Sequence, residues 1–264
     1  MARITQELLY SPNALREFFE KEQPDYIFHC GTYGNMANQK DISMTIFSNI
    51  VGTFNMLKES KDIPYKAFIN FGSSSEYGKK ESPMSEQDIL IPDTFYGASK
   101  ASATLLARAF AKQFRLPIVT VRPFSVYGPH EADFRFIPTI IRGIVKNESF
   151  QLDEKAVHDW IYADDFIEAV LLLMDKASSV TEGVVNIGTG RMHTNKEVCE
   201  LLKRITGKQY LSIPIAGMRQ DDSSVWIANN SYLTNLGWYP RTMLTEGLTK
   251  TWEWYKEKYE RDKN

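Results

Sequence analysis

Tyr96 stands four residues ahead of Lys100 in the stretch "FYGASKASATLLARAF", residues 95–110. A phenol ordinarily titrates near ~10, so at neutral pH it keeps its proton and can donate it. On a helix the ammonium at i+4 lies on the same face. Its charge favours the phenolate and draws the tyrosine toward working pH, as a general acid/base requires. A second Tyr-x-x-x-Lys, Tyr259 with Lys263, falls in a charged tail and is read as chance. What sets the first pair apart is its surroundings. Gly97, Ala98 and Ser99 leave room for another backbone or a flat cofactor, and "FGSSSEYG" (71–78) supplies three hydroxyls after an apolar run. A serine there would hold a substrate oxygen while Tyr96 moves the proton. This is equipment for hydride chemistry at a carbinol or ketone carbon.

The elements that must position these groups alternate. "SPNALREFFEKEQ" reads as a helix opened by Ser-Pro, "DYIFHC" as a strand, "DISMTIFSNIVGTFNMLKES" as a long helix and "KAFINFG" as a second strand. The Tyr96 helix follows, then strand "PIVTVRP", helix "DDFIEAVLLLMDKA" and strand "GVVNIG". Continuously apolar strands separated by helices predict a doubly wound parallel α/β sheet covered on both faces. Ligands of such sheets bind at the carboxyl ends of the strands, where "FGSSSEYG" lies. From about residue 191 the pattern is helical, with little strand. The expected organisation is a dinucleotide-binding domain over residues 1–128, completed by about 159–188, and a smaller substrate lobe over 129–158 and 189–264.

Composition narrows the function further. Thirty-one basic residues against thirty-three acidic ones leave a net charge of −2 with no basic stripe, which argues against nucleic acid. The longest apolar run, "AVLLLM", is far shorter than the ~20 residues of a membrane span. Two cysteines, Cys30 and Cys199, fit a reducing compartment, and the polar amino terminus is not that of a signal peptide. A cytoplasmic protein is expected. His130, His158 and His193 share no ligand spacing with either cysteine, so no metal is expected.

An ordered set of motifs then resembles the extended short-chain dehydrogenase/reductases that act on nucleotide sugars. They are "YIFHCGTYG" at the first strand, Asn49 with Gly52 and Thr53, "GSSSEYG", the run "SPMSEQDILIP", "YGASK", "RPFSVYGP", "HDWIYADD", "NIGTG" and "LGWYP". The resemblance runs essentially end to end. It implies Tyr96 as acid/base, Lys100 as its electrostatic partner and a ligand of the nicotinamide ribose, and Ser73 as the catalytic hydroxyl, with Ser74 the alternative. It implies NAD or NADP held by Cys30, Gly31, Thr32, Asn49, Pro123 and Phe124 besides Tyr96 and Lys100. A nucleotide sugar would meet Ser74, Ser75, Ser125 and Arg219, the last as a fork on the diphosphate. It also implies a homodimer paired through the helices around Asn49 and Tyr96.

Three departures matter. The family's opening strand and Gly-x-x-Gly-x-x-Gly turn have no counterpart here. This implies either an incomplete version of a protein of about three hundred residues or a naturally short relative. Gly188-Thr189-Gly190 mimics that turn but comes late, at a substrate-lobe position. Relatives that eliminate water carry acids just after the catalytic hydroxyl, where this chain has Ser74 and Ser75; Glu76 would serve only with the loop shifted by a residue. Ketoreduction or epimerisation at the sugar C4 is therefore expected ahead of 4,6-dehydration. A non-catalytic sugar-nucleotide binder lacking the cofactor half is the rival of another class. His158 replaces an arginine that usually meets phosphate. Elsewhere plain readings suffice: His29 as strand-end packing, Asp164 and Asp165 as caps of the following helix, and Trp252, Trp254 and Tyr255 as packing of a terminal helix.

Overall fold

The computed structural model of the chain describes residues 2–36, 38–180, 183–214 and 225–261, which group into two compact units. The first comprises Met1–Lys79, Ser85–Pro123 and Glu168–Ile187. Its sheet has four parallel strands, β1 (Tyr26–His29), β2 (Ala67–Phe71), β3 (Ile118–Pro123) and β8 (Val184–Ile187), paired in that order. Strands β2, β3 and β8 are buried almost throughout, because apolar side chains leave both of their faces toward covering helices. β1 alternates instead, with Tyr26 39% and Phe28 44% exposed, and β2 is its one partner among the described residues.

Helices α1 (Gln6–Leu9), α2 (Pro12–Glu22), α3 (Ile42–Ile46), α4 (Gly52–Ser60) and α5 (Phe95–Phe114) belong to this unit. Pro12 pre-sets the first turn of α2, and Gln23 ends it in the left-handed region. The long helix expected over 41–60 is present but widens into a π-helical turn, Phe47–Val51, between α3 and α4. α5 starts where Thr94 Oγ1 accepts the Gly97 N–H at 3.0 Å and stops at Arg115, whose φ is +57°. Leu15, Phe19, Ile27, Leu57, Phe68 and Ile118 form part of its apolar core.

The second unit comprises Lys80–Met84, Phe124–Ile167 and Gly188–Asn264. Short strand pairs run through it: β4 (Ser125–Tyr127) with β7 (Trp160–Tyr162), β5 (Ser149–Leu152) with β10 (Leu211–Pro214), and β6 (Val157–His158) with β9 (His193–Thr194). Helices α6 (Phe136–Lys146), α8 (Asn195–Thr206) and α10 (Leu244–Arg261) pack around Ile137, Ile140, Leu202, Leu248 and Tyr255. A short α9 (Ser231–Asn235) accompanies them, while α7 (Ala163–Asp175) is divided between the units.

Two details differ from the sequence reading. The lobe is less purely helical than expected, because strands of two to four residues carry no usable periodicity. The division falls after Pro123 rather than after residue 128, and residues 159–167 go with the second unit, since β4 pairs with β7. Trp252 and Tyr255 are buried in the packing of α10 as expected. Asp165 does not cap α7; its carboxylate accepts the Thr242 N–H at 2.8 Å and ties the helix start to that segment.

Candidate active site

Strand β2 ends at Phe71, and the chain turns at once into a 3₁₀ turn, Ser74–Glu76, for which Ser73 is the cap. Ser73 Oγ accepts the Ser75 N–H at 3.1 Å, and Glu76 Oε1 accepts the Ser73 N–H at 2.8 Å. This reciprocal capping box fixes the three serines. Ser73 and Ser74 are buried, while Ser75 is half-buried. α5 lies directly against the turn: a Cβ on Gly97 would come 2.4 Å from the Ser75 carbonyl oxygen. The small residue beside Tyr96 thus serves the approach of a backbone. Tyr96, half-buried, precedes that contact by one residue, so the turn and the Tyr96–Lys100 helix meet as the sequence suggested.

Lys100 is 2% exposed, and burial lowers it from 10.5 to about 8 against the opposing pull of Glu76 and Cys30. Among the described residues its ammonium makes no hydrogen bond or ion pair to a carboxylate. A lysine so deeply buried, one helical turn from a phenol and with its pKa lowered, marks a candidate functional site. That ammonium fits the ribose of a nicotinamide nucleotide.

His29 closes the far side. Thr53 Oγ1 spends its hydrogen on the Asn49 carbonyl at 2.7 Å, so its contact at 3.0 Å with His29 Nε2 requires the histidine to be the donor. His29 is therefore neutral with the proton on Nε2, and burial together with the Lys100 charge lowers it to about 3. It packs, as expected, and does not titrate near neutrality.

Asn49, expected to touch the cofactor, is fully buried in the π-helical turn. Its amide donates to the Tyr33 carbonyl and to Ser99 Oγ, both at 2.8 Å, and its oxygen accepts the Tyr33 N–H at 2.8 Å. With both hydrogens used inside the protein, the amide clamps the loop after β1 to α5. Cys30 and Thr32 are exposed just after β1 with Gly31 between them. Pro123, half-buried, ends β3 in the first unit. Phe124 is 6% exposed in the second, and so offers a ligand little of its ring. Ser125 Oγ lies 3.2 Å from His158 Nδ1 in that unit. Arg219 lies outside the described residues.

The Gly188-Thr189-Gly190 turn does not hold phosphate. Asp159 already accepts the Thr189 and Gly190 N–H groups at 2.7 and 3.0 Å, together with that of Ala228 at 3.0 Å. The larger cavity, about 720 Å³, lies toward the other end of α5 beside Arg108, Lys112 and Arg115. A smaller one, about 360 Å³, borders Glu86, Arg108 and Arg122. Neither is lined by Ser73, Tyr96 or Lys100. Among the described residues no three His, Cys, Asp or Glu side chains gather to hold a metal, and no helix is long and apolar enough to cross a membrane.

Residues that sequence reasoning passed over surround Glu76. Its Oε1 also accepts Thr104 Oγ1 at 3.0 Å, and its Oε2 pairs with Arg122 Nε at 2.8 Å. Arg122 Nη1 in turn donates to Tyr77 OH at 2.8 Å, and Tyr77 donates to Asn186 Oδ1 at 2.7 Å. Two signals were present: the Ser-x-x-Glu spacing of a capping box, and Thr104 continuing the stripe of Tyr96 and Lys100.

Comparison with known proteins agrees with this geometry. A trifunctional UDP-glucose 4,6-dehydratase/UDP-4-keto-6-deoxy-D-glucose 3,5-epimerase/UDP-4-keto-L-rhamnose-reductase of Arabidopsis thaliana is 29% identical over 89% of this chain and 37% of its own length. The dTDP-D-glucose 4,6-dehydratase of Homo sapiens is 25% identical over 93% of this chain and 73% of its own. Among solved structures, a UDP-glucose 4-epimerase of Thermotoga maritima with UDP-glucose superposes with a TM-score of 0.84 at 27% identity, over 95% of this chain and 83% of that one. A UDP-glucuronic acid 4-epimerase of Bacillus cereus, in complex with UDP-glucuronic acid and NAD, gives 0.82 at 25% identity over 93% and 79%. Residues 4–188 match the NAD dependent epimerase/dehydratase family, spanning the β1–β8 sheet, the serine turn and the Tyr96–Lys100 helix, and the chain belongs to that family.

Proposed function

We propose that the chain carries the reacting centre of an NAD(P)-dependent enzyme acting at C4 of a nucleotide sugar, as a 4-ketoreductase or 4-epimerase. The observation that carries this reading is the Lys100 ammonium, buried one turn from Tyr96 on a helix packed against the Ser73–Ser75 turn. Its charge favours the Tyr96 phenolate. Ser73 would hold the substrate oxygen by a hydrogen bond while Tyr96 takes the proton from a C4 hydroxyl, or returns it to a C4 ketone. The nicotinamide, when bound, supplies or accepts the hydride at that carbon. Lys100 would hold its ribose, with Cys30, Gly31, Thr32 and Pro123 beside it. Ser125 and Arg219 would meet the sugar nucleotide.

The curated relatives also support a 4,6-dehydratase reading. Against it stand Ser74 and Ser75, which carry no acid, and Glu76, whose carboxylate is spent on Arg122, Thr104 and Ser73. A second copy of the chain would pair through α3 and α4, whose Ile42, Ile46, Phe47 and Phe54 region leaves apolar side chains exposed.

The test is absorbance of reduced nicotinamide on mixing the purified protein with a 4-keto sugar nucleotide. Tyr96→Phe should abolish turnover and leave sugar-nucleotide affinity nearly intact. Unchanged turnover in that variant would refute the role given to Tyr96. Formation of a 4-keto-6-deoxy product from an unmodified nucleotide hexose would favour the dehydratase.

A further inference from the structure

Glu76 is wholly buried, yet the chemistry above gives it no step. Its surroundings are built to keep it there. A Cβ on Gly72 would come 2.4 Å from Glu76 Oε1, so the glycine makes room for the carboxylate. Oε2 is held by Arg122 of β3, and the same guanidinium lies 4.6 Å from the centroid of the Tyr77 ring. The other oxygen is the more telling. Oε1 accepts at once from the Ser73 N–H of the serine turn and from Thr104 Oγ1 of α5. Thr104 lies four residues beyond Lys100 and eight beyond Tyr96, on one stripe of that helix. One oxygen atom therefore joins the element carrying the catalytic hydroxyl to the element carrying the acid/base, while its partner oxygen is anchored to the sheet.

We propose that Glu76 is a positioning residue, whose carboxylate sets the place of the Ser73 hydroxyl relative to the Tyr96–Lys100 pair. The inference rests on the function proposed above and adds to it a device for alignment. Reacting groups displaced by about 1 Å lose about a hundredfold in rate, so a joint at this point acts on turnover before it acts on binding.

The experiment measures kcat, KM and amide hydrogen exchange at Ser73 in Glu76→Gln, in Thr104→Val and in both within a Ser73→Ala background. Glu76→Gln should lower kcat about a hundredfold with KM little changed, and should raise exchange at the Ser73 amide. In the Ser73→Ala background it should cost less than about threefold more, because its effect passes through Ser73. Thr104→Val keeps the ion pair and removes only the link to the helix. It covers the case in which Glu76→Gln fails to fold, and should lower kcat by about tenfold with KM unchanged. Equal losses in both backgrounds, or unaltered Ser73 exchange in Glu76→Gln, would overturn the proposal. Wild-type protein that turns over no sugar nucleotide refutes the function instead, while the exchange measurement still decides whether Glu76 holds the turn.

Discussion

Replacing Lys100 with methionine should make the protein more stable at neutral pH and nearly inactive, and the size of the gain can be worked out from the site. In the unfolded chain the ammonium titrates near 10.5; in the folded protein it is lowered to about 8. A base whose folded value is depressed binds its proton more weakly in the native state. Its unfavourable contribution is therefore full below about pH 8 and fades as pH rises toward 10.5. The whole shift corresponds to about 3 kcal/mol, and with 2% exposure little is screened by solvent. Between about pH 7 and about pH 9.5 wild type should gain about 2 kcal/mol relative to Lys100→Met, which has no proton to lose there. Urea unfolding of both proteins at the two pH values gives this difference of differences and cancels every other titrating group. The linear side chain of methionine fills the same channel, so a packing loss should stay below about 1.5 kcal/mol. If the gap between the two proteins does not change with pH, Lys100 is not carrying a buried charge. The account of the site would then be wrong at its centre.

The other expectations follow from neighbouring contacts. Gly97→Ala would drive a methyl into the Ser75 carbonyl, and should cost about 1–3 kcal/mol by denaturant unfolding while lowering turnover more than substrate affinity. His29, held neutral to about pH 3, loses ground below its ordinary 6.5 because the unfolded chain takes up the proton first. Stability should fall by about 2 kcal/mol between about pH 7 and about pH 5, and His29→Gln should flatten that slope; an equal slope in the variant refutes the assignment. Sedimentation should find a dimer, and Phe47→Glu, on the exposed face of the π-helical turn, should give monomers.

What the sequence made legible was whatever repeats on the scale of a turn or a strand. The parallel strands of the first unit could be read because their burial on both faces leaves unbroken apolar runs, and α5 because its cap, its stripe and its small residues agree. That the helix of Tyr96 and Lys100 would meet the turn of Ser73 to Ser75 was legible for the same reason, from local spacing at a strand end. The clamp made by Asn49 was not legible: its partners, Tyr33 and Ser99, lie 16 and 50 residues away, and nothing nearby shows that its amide is already used. Glu76 was noticed only as a stand-in acid. Its partners Thr104 and Arg122 are 28 and 46 residues distant, so these contacts exist only once α5 and β3 lie beside the turn after β2. The short strand pairs of the second unit were lost because two to four residues cannot establish a period.

Charge at the centre then connects these contacts to the choice of reaction. Glu76 and Arg122 neutralise each other inside the protein, and His29 is uncharged. Lys100, one helical turn from Tyr96, is left without a hydrogen-bonded counter-ion among the described residues. Removing and returning one proton at a carbinol needs only a phenol that such a charge can ionise. Eliminating water needs a further acid and a further base near the same sugar ring. In this turn the candidates are two serines and a carboxylate already bound on both oxygens. To make Glu76 available for dehydration, the fold would have to leave Arg122 buried without its carboxylate, at a cost of about 3–5 kcal/mol. That penalty is the physical argument behind the C4 chemistry proposed above, and a 4-keto-6-deoxy product formed by the purified protein would overturn it.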